Sequence, residues 1–252
     1  MPQLIGPGEL IVVSWENFRR NYLAYGELVV WILVLSILQW LMMLVVRATV
    51  PGQLEQVMLF TILSVPTSLA FLVVTATMID VTAKGIANRR IDVRESLHHG
   101  FHRLLPLLWV SIITSLAIFF GFFLLIVPAL LFFVWFKFAP YHTVTENISG
   151  HAAMSASRSL VVGRFWSVLL RIIVPMLFFS VIASLFISLI YLFIGASFGD
   201  MRLFFGEMSA SERLSQTHML ITVIVPQTIR SFALAFILGA DVALWQDLKR
   251  RG

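Results

Sequence analysis

None of the 252 residues is cysteine, which removes disulfides, thiolate metal sites and cysteine nucleophiles together. The redox compartment therefore leaves no mark on the sequence. Charge is scarce as well. Asp, Glu, Lys and Arg make up 12% of the chain, where a soluble domain uses roughly 25%, so there is too little polar material to cover a water-soluble globule of this size. Hydrophobic residues reach 59% and the mean hydropathy is +0.93, a composition suited to a bilayer. A cleavable signal peptide is not expected, because Glu9 and Glu16 flank the only early apolar stretch and no basic n-region or small-residue cleavage site accompanies it.

At roughly 20–25 residues per crossing, six crossings would use about 120–150 residues, leaving the remainder for connections and none for a separate catalytic domain. Apolar runs predict spans at 22–46, 54–78, 104–126, 129–147, 166–193 and 217–245, all within a single integral membrane domain, 1–252. Pro51-Gly52 and Val127-Pro128-Ala129 are the turn signals that fold the first four runs into hairpins. Pro66, Pro175 and Pro226 are expected to interrupt spans two, five and six.

Lys and Arg report orientation, because short cytoplasmic connections carry their excess. With both termini inside, the inner segments hold Arg19, Arg20, Lys84, Arg89, Arg90, Arg94, Arg103, Arg158, Arg164, Lys249, Arg250 and Arg251. The outer ones hold Arg47, Arg202 and Arg213. Both termini are therefore expected in the cytoplasm. The net charge of +5 is read as topology and implies no nucleic acid.

A repeat emerges from the connections. Ser14 to Arg20, Ser96 to Arg103 and Ser159 to Trp166 each run from Ser through Asn or Gly to Phe with basic neighbours, and each precedes a hairpin. The stretches 8–20, 91–103 and 150–162 read as amphipathic interfacial helices. Ile11, Trp15, Phe18 and Tyr22 share one apolar face, as do Val93, Leu97, Phe101 and Leu104. The expected fold is all-α: a polytopic membrane protein of six helices as three hairpins, each preceded by such a helix.

Ionisable residues within the apolar runs cost roughly 2.5–3.5 kcal/mol at a helix centre unless paired or hydrated. Glu27, Lys137, Arg171, Arg230 and Asp241 are expected to form an intramembrane polar cluster. At about 1.5 Å per residue, Arg171 lies about 10 Å beyond Arg164 and Asp241 about 12 Å before Lys249, which makes Arg171 and Asp241 the expected ion pair. Lipid headgroups are expected at Arg89, Arg90, Arg94 and Arg103. His98, His99 and His102 lie close together, but on an Arg-rich polar face they do not make a four-ligand site. No metal, cofactor or catalytic residue is expected, and no phosphate loop, HExxH or GxSxG occurs.

Pro128-Ala129, Trp135, Phe138-Ala139-Pro140, Ser157 to Leu160 and Gly163-Arg164-Phe165-Trp166, with Gly8-Glu9-Leu10, Ser14-Trp15 and Asp247-Leu248-Lys249, resemble the glycerophosphoryl diester phosphodiesterase membrane-domain superfamily and related six-span bacterial proteins. Ala129 stands where members usually have Gly. The resemblance implies the membrane fold and a bacterial inner membrane. In the fused phosphodiesterases catalysis belongs to a separate barrel domain, so the resemblance carries over no catalytic residue.

The function expected from all of this is non-catalytic: a membrane-organising or lipid-interacting role, with anionic lipids as partners and a second copy or another membrane protein as the remaining partner class. The alternative is a small transporter or channel-like protein with a polar path near Arg171, Arg230 and Asp241.

Overall fold

The computed structural model describes residues 4–124, 126–198 and 224–251. Ten helices follow in order: α1 Pro7–Arg20, α2 Tyr22–Thr49, α3 Gln53–Ile86, α4 Val93–His102, α5 Leu104–Leu124, α6 Ile126–Phe136, α7 Ala139–Glu146, α8 Gly150–Val161, α9 Phe165–Phe198 and α10 Val225–Arg251. No strand occurs among the described residues. Among the described residues, six segments are long and apolar enough to span a membrane: α2, α3, α5, α6 with α7, α9 and α10. The chain is an all-α polytopic protein. Arg202, Arg213 and the start of the expected sixth span lie outside the described residues.

Local chemistry sets the helix boundaries. Asp92 caps α4 by accepting from the backbone N–H groups of Arg94 (2.9 Å) and Glu95 (3.2 Å). At the start of α1, Pro7 occupies the first helical turn and Glu9 reaches back to the Gly6 N–H (3.0 Å). The expected fourth span is not one continuous helix: it breaks between Phe136 and Ala139. Pro140 explains this, since its ring would collide with the carbonyl of Phe136, four residues earlier, in an unbroken helix. Pro66 and Pro175 lie inside continuous helices, and Pro226 lies at the start of the described part of the sixth span.

The three hairpins are arranged cyclically. Each short helix packs on the second span of the preceding unit: α4 on α3, α8 on α6 and α7, and α1 on α10. The contact faces are small and partly polar. Ser14 is 1% exposed, and Ser96 and Ser157 are 0% exposed. The Ser14 hydroxyl donates to the Phe236 carbonyl (2.5 Å). Ser157 accepts the Phe138 N–H (3.1 Å) and donates to the Trp135 carbonyl (2.6 Å), satisfying groups freed by the helix break. Arg158 lies 4.4 Å over the Trp135 ring, reinforcing the same contact. In the second unit, Gly100 takes the close approach: a Cβ there would stand 2.8 Å from Thr77 Oγ1 and 3.1 Å from the Val73 carbonyl.

One sequence expectation is corrected here. The repeat register is set by Ser157, while Ser159 is exposed and bonds only within its own helix. The aromatic faces of the short helices do not supply the contacts made by these serines. Trp15 remains 53% exposed and Phe101 65%, leaving those rings available to acyl chains.

The core lies around α10, whose apolar window is 56% buried against 11% for α3 and for α9. Buried residues concentrate at 74–82 of α3, 138–144 across the break and 235–248 of α10. The outer parts of the hairpins present Leu54, Ile62, Phe119, Phe123, Leu185 and Phe193 on exposed surfaces, which hydrocarbon solvates and water does not. Between α5 and α6 the backbones touch at Gly121, where a Cβ would stand 2.9 Å from both Ala129 Cα and Phe132 Cδ2. Gly121→Ala is therefore expected to cost about 1–3 kcal/mol of stability, read as a lowered unfolding midpoint in detergent. An unchanged midpoint would mean that this hairpin is not closed as described.

Candidate functional site

The five ionisable residues expected to cluster do not come together. Asp241 is 3% exposed and pairs with Lys137, whose Nζ is 2.8 Å from Oδ2. The Tyr141 hydroxyl donates to the same oxygen at 3.1 Å. Arg171 bonds elsewhere, so the expected Arg171–Asp241 pair is replaced by Lys137–Asp241. Glu27 and Arg230 are exposed and belong to neither group. Residue counting put Arg171 level with Asp241, but its side chain reaches back one turn to Ser167 and meets Ile5 beside Asp247.

A second polar relay continues along the same two helices toward the C-terminus. The Trp245 indole N–H donates to His142 Nε2 (3.3 Å), and His142 Nδ1 lies 2.6 Å from Glu146. Nε2 accepts in this arrangement, so the proton sits on Nδ1 and is donated to the carboxylate. Lys249 completes the relay at the other Glu146 oxygen. Tyr141, Glu146 and the pairing of His142 with Trp245 were missed from sequence. The available signal was spacing: His142 with Glu146, and Asp241, Trp245 and Lys249, stand four residues apart on single helix faces.

The residues expected at headgroups lie at the turn after α3 and along α4. Arg89, Arg90 and Arg94 are exposed, while Arg103 is half-buried and its Nε has no hydrogen-bond partner among the described residues. His98 and His102 pair at 3.0 Å, while His99 turns inward to the Val144 carbonyl (3.0 Å). No group of three metal-ligating side chains occurs among the described residues.

Two hollows lie along the seam of α1, α9 and α10. Near the chain ends is a cavity of about 900 Å³ lined by Arg164, Arg171 and Arg251 together with Glu9, Ser167 and Asp247. Arg171 clamps the N-terminal segment. Its Nε donates to the Ile5 carbonyl (2.7 Å), Nη2 to the Leu4 carbonyl (3.3 Å) and Nη1 to Ser167 Oγ (2.6 Å) and carbonyl (2.8 Å). From the opposite wall, Asp247 accepts the Ile5 N–H (3.0 Å) and the Arg251 Nε–H (2.7 Å). Farther along the seam is an apolar groove of about 740 Å³, walled by Trp15, Phe178, Phe179, Phe186, Phe232 and Phe236, with Glu16 and Arg19 its only ionisable lining residues. Phe236 organises the wall, stacking on Trp15 (5.5 Å between ring centroids) and on Phe179 (5.0 Å).

No family model, curated protein or solved structure matches this chain. The functional argument therefore rests on the site itself.

Proposed function

We propose that the chain is a non-catalytic, lipid-interacting protein of the bacterial inner membrane, with both termini in the cytoplasm. The observation that carries this reading is the apolar groove between α1, α9 and α10. A concave aromatic surface of this size, on a protein whose outer hairpins are surrounded by hydrocarbon, is suited to an acyl chain. Its depth comes from α1, which runs alongside α10 in the opposite direction: Ile5 meets Asp247, Ser14 meets Phe236, and Phe18 meets Phe232. The resemblance to the membrane part of the phosphodiesterase superfamily supports the same reading, since in those proteins hydrolysis belongs to another domain.

The transport alternative needs a continuous polar path, and the residues nominated for it are dispersed. Arg171 is occupied by backbone carbonyls, Asp241 by Lys137 and Tyr141, and Arg230 is exposed. Ala233→Trp tests the lipid reading by filling the groove from α10. Phospholipid carried through purification, counted by mass spectrometry, should fall several-fold while the helical circular dichroism stays unchanged. Undiminished lipid in a folded Ala233→Trp protein would overturn the assignment of the groove.

A further inference from the structure

We infer that the cavity lined by Arg164 and Arg171 binds a phosphate group. This inference rests on the lipid-interacting reading and names the headgroup chemistry of that seam. The charge arrangement is the first argument. Three arginines face two carboxylates in the lining: Asp247 is paired with Arg251 and accepts the Ile5 N–H, and Glu9 accepts the Gly6 N–H, which leaves the cavity net positive. By contrast, Arg171 donates only to neutral oxygens. The Arg164 guanidinium has no hydrogen-bond or ion-pair partner among the described residues, although the residue is half-buried. A guanidinium held out of bulk water without a counter-charge favours an anion, and its planar fork matches phosphate oxygens in pairs.

The backbone adds to this potential. Arg164 and Ser167 flank the first turn of α9, which begins at Phe165, where the positive end of the helix dipole also favours an anion. Gly163, immediately before, has φ +83°, a left-handed conformation that suits glycine. A Cβ at Gly163 would meet nothing within 4 Å, and Gly163 itself lines the cavity.

Phosphate can come from a lipid headgroup or from a small soluble anion, and the seam favours the lipid. Arg171 and Phe178 are seven residues apart on α9, about 10 Å along the helix axis, so a phosphate in the basic cavity lies within a molecule's length of the acyl groove. The basic set is not the one expected from sequence. Arg89, Arg90 and Arg94 are exposed and line no described cavity with the seam helices.

The full chain in detergent is titrated with phosphatidylglycerol, with diacylglycerol of the same chains, and with inorganic phosphate, and binding is read by native mass spectrometry and thermal shift. Phosphatidylglycerol should bind at least about tenfold more tightly than diacylglycerol, the effect of losing charge-assisted bonds to one group. Arg164→Gln should abolish that preference, and Arg164→Lys should retain part of it. Arg89→Gln with Arg90→Gln should leave it intact. If inorganic phosphate instead protects the protein in an Arg164-dependent way while the two lipids bind equally, the phosphate site stands and its lipid source is overturned. A preference that survives Arg164→Gln, or no response to either phosphate compound, overturns the inference. Diacylglycerol binding that persists in that event leaves the acyl-groove reading standing on its own.

Discussion

Asp241→Ala is expected to be among the most damaging single substitutions in the protein. Lys137 would be left as a charge one-fifth exposed on its side chain, with its 2.8 Å partner gone, and Tyr141 would lose the acceptor for its hydroxyl. Breaking a buried pair from one side typically costs about 3–5 kcal/mol, whereas replacing both members with apolar groups is often close to neutral. The double variant Lys137→Met with Asp241→Leu should therefore unfold at a higher temperature in detergent than Asp241→Ala alone. The pair also joins the helix break to the central helix, so its loss should expose α7 to protease before the rest of the bundle opens. Additive losses from Lys137→Met and Asp241→Leu would mean that the two charges are not coupled.

The second large effect is expected at Gly239, where α1 approaches α10 most closely. A Cβ at this position would stand 2.3 Å from Ser14 Oγ, 3.1 Å from Ser14 Cβ and 3.3 Å from Ser14 Cα. Alanine can be accommodated only if the serine side chain swings away from the Phe236 carbonyl, giving up its 2.5 Å bond. Leucine reaches the α1 backbone and must displace the helix. Gly239→Ala is expected to cost about 1–3 kcal/mol and Gly239→Leu more than that. Because α1 forms one wall of the acyl groove, the leucine variant should also lose bound lipid. Ser14→Gly removes both the hydroxyl and the Cβ, so combining it with Gly239→Ala should recover most of the loss. If Gly239→Ala leaves the unfolding midpoint untouched, α1 does not dock on α10 in this way.

The spans were legible in the sequence because burial in hydrocarbon is local and additive. A run of about twenty apolar residues satisfies its own backbone as a helix wherever its neighbours are. The same holds for the α4 cap at Asp92 and the turn at Pro51-Gly52, which depend on residues a few positions away. Pro140 also carried its message in the sequence, since a proline clash acts over four residues. The break in the fourth span could have been placed from it.

Which residues meet across the bundle was decided by tertiary structure. Side-chain depth follows from counting residues along one helix, and on depth alone Arg171 suited Asp241. Side-chain direction and the neighbours supplied by packing depend on other helices, and here Arg171 reaches back past Ser167 to the Ile5 carbonyl while Lys137 meets Asp241. The repeat shows the same sensitivity: a shift of two residues, from Ser159 to Ser157, rotates a side chain by about 200° around a helix, from the exposed face to the buried one. The docking of α1, the groove beside Phe236 and the cavity around Arg164 depend on helices more than a hundred residues apart in the chain, whereas α4 and α8 dock on the helices just before them. Sequence composition determined that this protein lives in a membrane and how many of its helices span it. The packing of those helices against one another determined where a ligand could sit, because a cavity is a property of several surfaces at once and no single stretch of sequence contains it.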